Sequence, residues 1–164
     1  MRAMGRPWTP SSILLAAAGA TLVIMGLYFI LMRPPLLPED VRYMALPAMQ
    51  FDLLKPRLQP WLAHVFQVTG RYVLATGVLT ITLAATSFRA HHRGAALGVP
   101  VGGAASIGWM VVVNFVINSD FKWLLLGMAV LWACSLVVFW FEKNPNKRGP
   151  SRIELMPWRA VQIP

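Results

Sequence analysis

Residues 64–89 read HVFQVTGRYVLATGVLTITLAATSFR. The stretch enters through His64, Gln67 and Arg71, runs without a charged side chain from Tyr72 to Phe88, and leaves on Arg89. A helix needs roughly 20 apolar residues to cross a hydrocarbon core of about 30 Å. Three further uncharged runs of that order occur at residues 13–32, 97–117 and 123–141. The composition agrees, with 57% hydrophobic and only 13% charged residues, against about one quarter charged in an ordinary soluble domain. The expected fold is therefore all-α, a four-helix transmembrane bundle forming a single integral domain over residues 1–164. Its spans are expected at about 12–32, 66–89, 97–117 and 122–141.

The charges choose an orientation. With the N-terminus inside, Arg2, Arg6, Arg89, Arg93, Lys143, Lys147, Arg148, Arg152 and Arg159 face only Glu142 and Glu154. The other side is nearly balanced, with Arg33, Arg42, Lys55, Arg57, Arg71 and Lys122 against Glu39, Asp40, Asp52 and Asp120. Basic residues favour the cytoplasmic side, so both termini and the tail, 142–164, are expected inside. The net charge of +9 then reads as a basic rim facing anionic lipid. Nucleic acid is not an expected partner, because no recognition motif accompanies the charge.

The outer segment, 33–63, is broken by proline and too polar to span. Pro38 followed by Glu39 and Asp40 predicts the first turn of a short helix, since proline suits the first helical position and acids suit the positive end of the dipole. Pro47 can start another, limited by Pro56 and Pro60, and Pro60 can open the second span. Pro10 with Ser11 and Ser12 marks the start of the first span, and Arg33-Pro34-Pro35 its end.

Small residues predict how the spans meet, because close backbone approach replaces the hydrophobic drive inside lipid. Gly19, Val23 and Gly26 form a stripe on the first span. On the second, Gly70, Gly77 and Ala84 recur at heptad spacing beside Thr69, Thr76, Thr80 and Ser87, a hydroxyl stripe expected to face the bundle interior. On the third, Gly94, Gly98, Gly102, Ser106, Met110 and Asn114 repeat every fourth position. That face is expected to pack within the chain, with a second copy or a protein partner as the alternative. Trp8, Trp61, Trp123 and Trp140 fall near the span ends as an aromatic belt.

Chemistry is argued against more easily than for. The single cysteine, Cys134, excludes an intrachain disulfide and thiol-pair redox chemistry. His64 and His91 lie some 40 Å apart along one helix at 1.5 Å per residue, which excludes a haem held by both. His91 and His92 diverge by about 100° and have no acid near them in sequence. No span contains a carboxylate for ion coupling, and no serine shares a depth with a histidine. No catalytic, metal-binding or cofactor-binding residue is expected. What remains is an outer-rim cluster of Arg71 with His64, Asn114, Asp120, Glu39 and Asp40. Arg71 is expected to bridge to Glu39, Asp40 or Asp52, or else to hold a lipid or quinone headgroup.

The stretches PPLLPEDVRYM (34–44) and GRYVLATGVLTITLAATSFR (70–89) resemble those of small four-spanning bacterial inner-membrane proteins known only as hypothetical, over roughly Arg33 to Trp132. The resemblance implies a bacterial inner-membrane location and no activity. The expected role is that of a non-enzymatic accessory, scaffold or assembly subunit. A small-solute or lipid-handling transporter component and a quinone- or lipid-binding enzyme subunit are the alternatives. Membrane lipids are expected partners, as is a protein partner or second copy through the third helix.

Overall fold

The computed structural model describes residues 7–143, and all regular structure among them is helical. Helix α1 is Pro10–Leu31, α2 Pro38–Met44, α3 Ala48–Leu83, α4 Arg93–Gly103, α5 Trp109–Val116 and α6 Lys122–Lys143. A π-helical turn, Ala84–Phe88, extends α3, and another, Ala104–Gly108, joins α4 to α5. Four helices are long and apolar enough to cross a membrane: α1, α3 with its π turn, α4–α5, and α6. The tail expected inside lies, from residue 144 onward, outside the described residues.

Helix α1 starts where its sequence dictates. Thr9 Oγ1 accepts from the Ser12 N–H at 3.3 Å and Ser12 Oγ from the Thr9 N–H at 3.0 Å, a capping box with Pro10 at the first helical position. Helix α1 is also the centre of the bundle, packed most extensively on α3 and next on α6. Its contact with α3 is built on glycine. A Cβ added to Gly26 would lie 2.6 Å from Leu74 N, and one on Gly77 would lie 2.7 Å from Val23 N. Gly19 and Gly70 are equally closed, at 3.0 Å from Gly77 O and 2.9 Å from Gly26 O. The seven-residue spacing on both helices keeps the two pairs in register, so the backbones themselves are in contact.

Two expectations about α3 need correction. Pro56 and Pro60 neither limit a short helix nor open the span; a single helix runs through both from Ala48. Each proline removes one backbone hydrogen bond. Both are exposed, where solvent can satisfy the released carbonyls, and being four apart they lie on one face. The hydroxyl stripe does face inward at Thr76 and Thr80, which line a gap toward α4, but it makes no bond to another helix among the described residues. Thr69, Thr76 and Thr80 donate to the carbonyls of Val65, Tyr72 and Thr76, one turn back, at 2.8 to 2.9 Å. Gly70, Gly77 and Ala84 are the packed face.

The third span also packs on a different stripe from the expected one. A Cβ at Gly94, Gly98 or Gly102 would meet nothing within 4 Å, and Ser106 Oγ donates to Gly102 O at 2.7 Å. The buried positions are Ala95, Val99 and Ile107. Between them Gly103 receives the Trp132 indole, which a Cβ there would strike, while Trp132 Nε1 donates to Val99 O at 3.4 Å. This stripe sits one residue, about 100°, around the helix, where Val99 and Ile107 offer α6 more contact area than the glycines do.

Candidate functional site

The second and third spans meet at a corner, residues 89–92, and diverge from it. The core at the corner joins Leu15, Ala84, Phe88, Ala95, Val99 and Phe139. Farther along, Leu22, Ile107, Leu125 and Met128 close α1 onto the third span and α6, with α3 contributing only the partly buried Val73 among the described residues. A wedge-shaped cleft results, walled by α3 on one side and the third span on the other. Near the corner it is a gap of about 190 Å³ between Thr76 and Thr80 of α3 and Gly98 and Gly102 of α4. Toward the opposite end it widens to a cavity of about 570 Å³, inside the range of small-molecule sites.

The wide end is apolar below and polar at its rim. Ile24, Met25, Val73, Met110 and Leu125 line its depth, and Arg33, Glu39, Asp40, Asn114 and Ser119 its top. Arg33, which follows the end of α1, lays its guanidinium 3.4 Å from the centroid of the Phe66 ring and 5.3 Å from that of Phe29. Its Nη2 donates to Asp40 Oδ2 at 3.3 Å, and the same oxygen accepts the Leu37 N–H at 2.9 Å, capping α2. Burial draws the Arg33 guanidinium below its usual pKa, and the Asp40 carboxylate opposes that shift; it stays a cation. Glu39 is 3% exposed, and its Oε1 accepts from the Ser119 hydroxyl at 3.3 Å. Asn114 Nδ2 donates to Met110 O at 2.8 Å. Outside the cavity, Arg42 and Asp120 pair at 2.9 Å with both side chains mostly exposed.

The expected cluster around Arg71 is therefore split. Glu39, Asp40 and Asn114 come together at the rim, but His64 and Arg71 are exposed on α3 and Asp120 belongs to Arg42. Arg71 makes no ion pair among the described residues; it follows Gly70, whose face is pressed on α1, and points about 100° away from it. Arg33, not Arg71, is the arginine of the site. Its signal was a basic residue at the end of an apolar run with an acid seven positions later, across a turn that holds three prolines.

At the corner, chain-distant residues also converge. The Ser11 N–H donates to Glu142 Oε1 at 3.0 Å and the Ser11 hydroxyl to Oε2 at 2.5 Å, placing a carboxylate on the positive end of α1. His91, at φ 57°, stacks on Phe139 at 4.8 Å, and Phe139 stacks on Phe88 at 4.2 Å. His91 Nε2 stands 3.6 Å from Glu142 Oε2, an ion pair only when the imidazole is protonated. The sequence offered His91 no neighbouring acid; the fold brings it one from the end of α6. Among the described residues no three of His, Cys, Asp and Glu gather as a metal site. Compared with known proteins, the chain matches no family model, no curated protein and no solved structure.

Proposed function

We propose that this is a multi-pass protein of the bacterial inner membrane, with the His91 corner and both termini cytoplasmic, acting as a non-catalytic accessory, scaffold or assembly subunit. The observation that carries the reading is the third span's uncovered face. Gly94, Gly98 and Gly102 offer a close-approach surface where an added Cβ would meet none of the described residues, and of the four spans this one is least covered by its neighbours. Inside lipid such a face gains its contacts from another helix. The test uses the same feature. Because a Cβ at Gly98 or Gly102 meets nothing among the described residues and both glycines border an open gap, Gly98→Leu and Gly102→Leu are expected to leave the isolated fold intact. The complex isolated gently from native membranes, weighed by native mass spectrometry, is expected to lose a stoichiometric subunit in both variants. A wild-type protein that is always a lone chain, or variants that keep the complex, would sink this reading.

A lipid-handling role is the second reading, favoured by the wide cavity between α3 and α5. It predicts a bound amphiphile whether or not a protein partner is present.

A further inference from the structure

We infer that the wide end of the cleft is a binding site for one phospholipid carrying a primary ammonium headgroup. The site has the dimensions of a single leaflet. From Thr21, at its floor, to Arg33, at its rim, α1 rises about 18 Å at 1.5 Å per residue, slightly more than half of a hydrocarbon core of about 30 Å. Its wall is apolar over that depth apart from Thr21 and Thr69, whose hydroxyls are bonded within their own helices, and its charged groups stand only at the top, which matches a molecule with one long apolar part and one head.

The chemistry of the head follows from the rim. Glu39 is almost completely buried and lines the cavity, yet among the described residues its one hydrogen bond comes from the Ser119 hydroxyl. No Lys, Arg or His nitrogen lies within ion-pair distance of it there. A carboxylate accepts several hydrogen bonds, and burying it unpaired is costly. The one cation lining the cavity among the described residues, Arg33, is bonded to Asp40 and lies on the Phe66 ring, and acts on Glu39 only through space, so the rim carries two carboxylates against one guanidinium. Asn114 adds a carbonyl oxygen that accepts no hydrogen bond among the described residues, while its amide nitrogen donates to Met110 O. Acceptors and net negative charge around a pocket of this size complement an N–H-bearing cation. An ethanolamine ammonium has three such hydrogens; a choline ammonium has none, and a glycerol head has no positive charge.

The glycine face borders the narrow end of the cleft and the acidic rim its wide end, so this inference does not rest on the accessory-subunit reading. Its test is read on the single chain. Wild-type protein is placed in nanodiscs of phosphatidylcholine, phosphatidylethanolamine and phosphatidylglycerol in equal parts, released, and weighed by native mass spectrometry. One phosphatidylethanolamine per chain is expected to be retained over the other two lipids. Glu39→Gln is expected to lower that retention by about tenfold or more, the loss of a hydrogen bond to a charged group. Val113→Trp, on the lipid-facing edge of the cavity, is expected to abolish retention by filling the tail space, while circular dichroism stays that of wild type. Equal retention of the three lipids, a preference for phosphatidylglycerol, or unchanged retention in Val113→Trp would each overturn the assignment. So would undiminished phosphatidylethanolamine on a folded Glu39→Gln.

Discussion

Single side chains, and single missing ones, hold the two ends and the middle of the bundle. At the middle, Gly26 and Gly77 face backbone atoms of the opposite helix at distances no real Cβ tolerates. Gly26→Ala or Gly77→Ala forces α1 and α3 apart, and each is expected to destabilise the protein by about 1 to 3 kcal/mol, read as a lowered unfolding midpoint in detergent. At the corner, Glu142 holds both the amide and the hydroxyl of Ser11. Glu142→Gln weakens these charge-assisted bonds, and a loss of about 1 to 2 kcal/mol is expected in the same measurement. Arg71, by contrast, is exposed and off the site. Arg71→Ala is expected to move the midpoint by no more than about 0.5 kcal/mol, whereas Arg33→Ala, which empties the space beside Phe66 and strands Asp40, is expected to cost several times as much.

Between elements, the decisive contact is the Trp132 indole against Gly103. Gly103→Ala is expected to loosen the third span from α6, and Trp132→Leu in the same chain to restore part of the loss; stabilities of the two single variants and the pair form the cycle that checks it. This contact also shows what could be read beforehand. The four spans, the α2 start at Pro38 and the Gly70/Gly77 face were legible because composition, proline position and heptad spacing each admit one physical solution. The third span was not. A repeat of four draws several parallel stripes on one helix, and 94/98/102 and 95/99/103/107 satisfy it equally; only the shape of the neighbour decides between them. Proline in α3 misled for a related reason, because its helix-breaking penalty is small where water reaches the carbonyls it releases. The Arg33 site and the Ser11, His91 and Glu142 cluster depend on which loops meet, information that local pattern does not hold.

At the scale of the whole molecule, the ties at the two ends fix an alternating path, Ser11 beside Glu142 at one end and Glu39 beside Ser119 at the other. The orientation of that path in the bilayer is checked by labelling. In a Cys134→Ala background, a cysteine replacing Asp52 is expected to react with a membrane-impermeant maleimide on intact cells, and one replacing Arg93 only after the membrane is opened. The reverse pattern would invert the topology. The central place of α1 also sets an order of events during synthesis. It is made before either of its neighbours, so its glycine face must stand in the membrane until Gly70 arrives, about forty residues later. At 5 to 20 residues per second that delay is roughly 2 to 9 seconds. For that interval the helix on which the bundle is later assembled is a lone apolar rod with an adhesive face, exposed to whatever other helices are nearby. The window for mispairing, or for capture by an insertion factor, is thus written into the distance between two pairs of glycines.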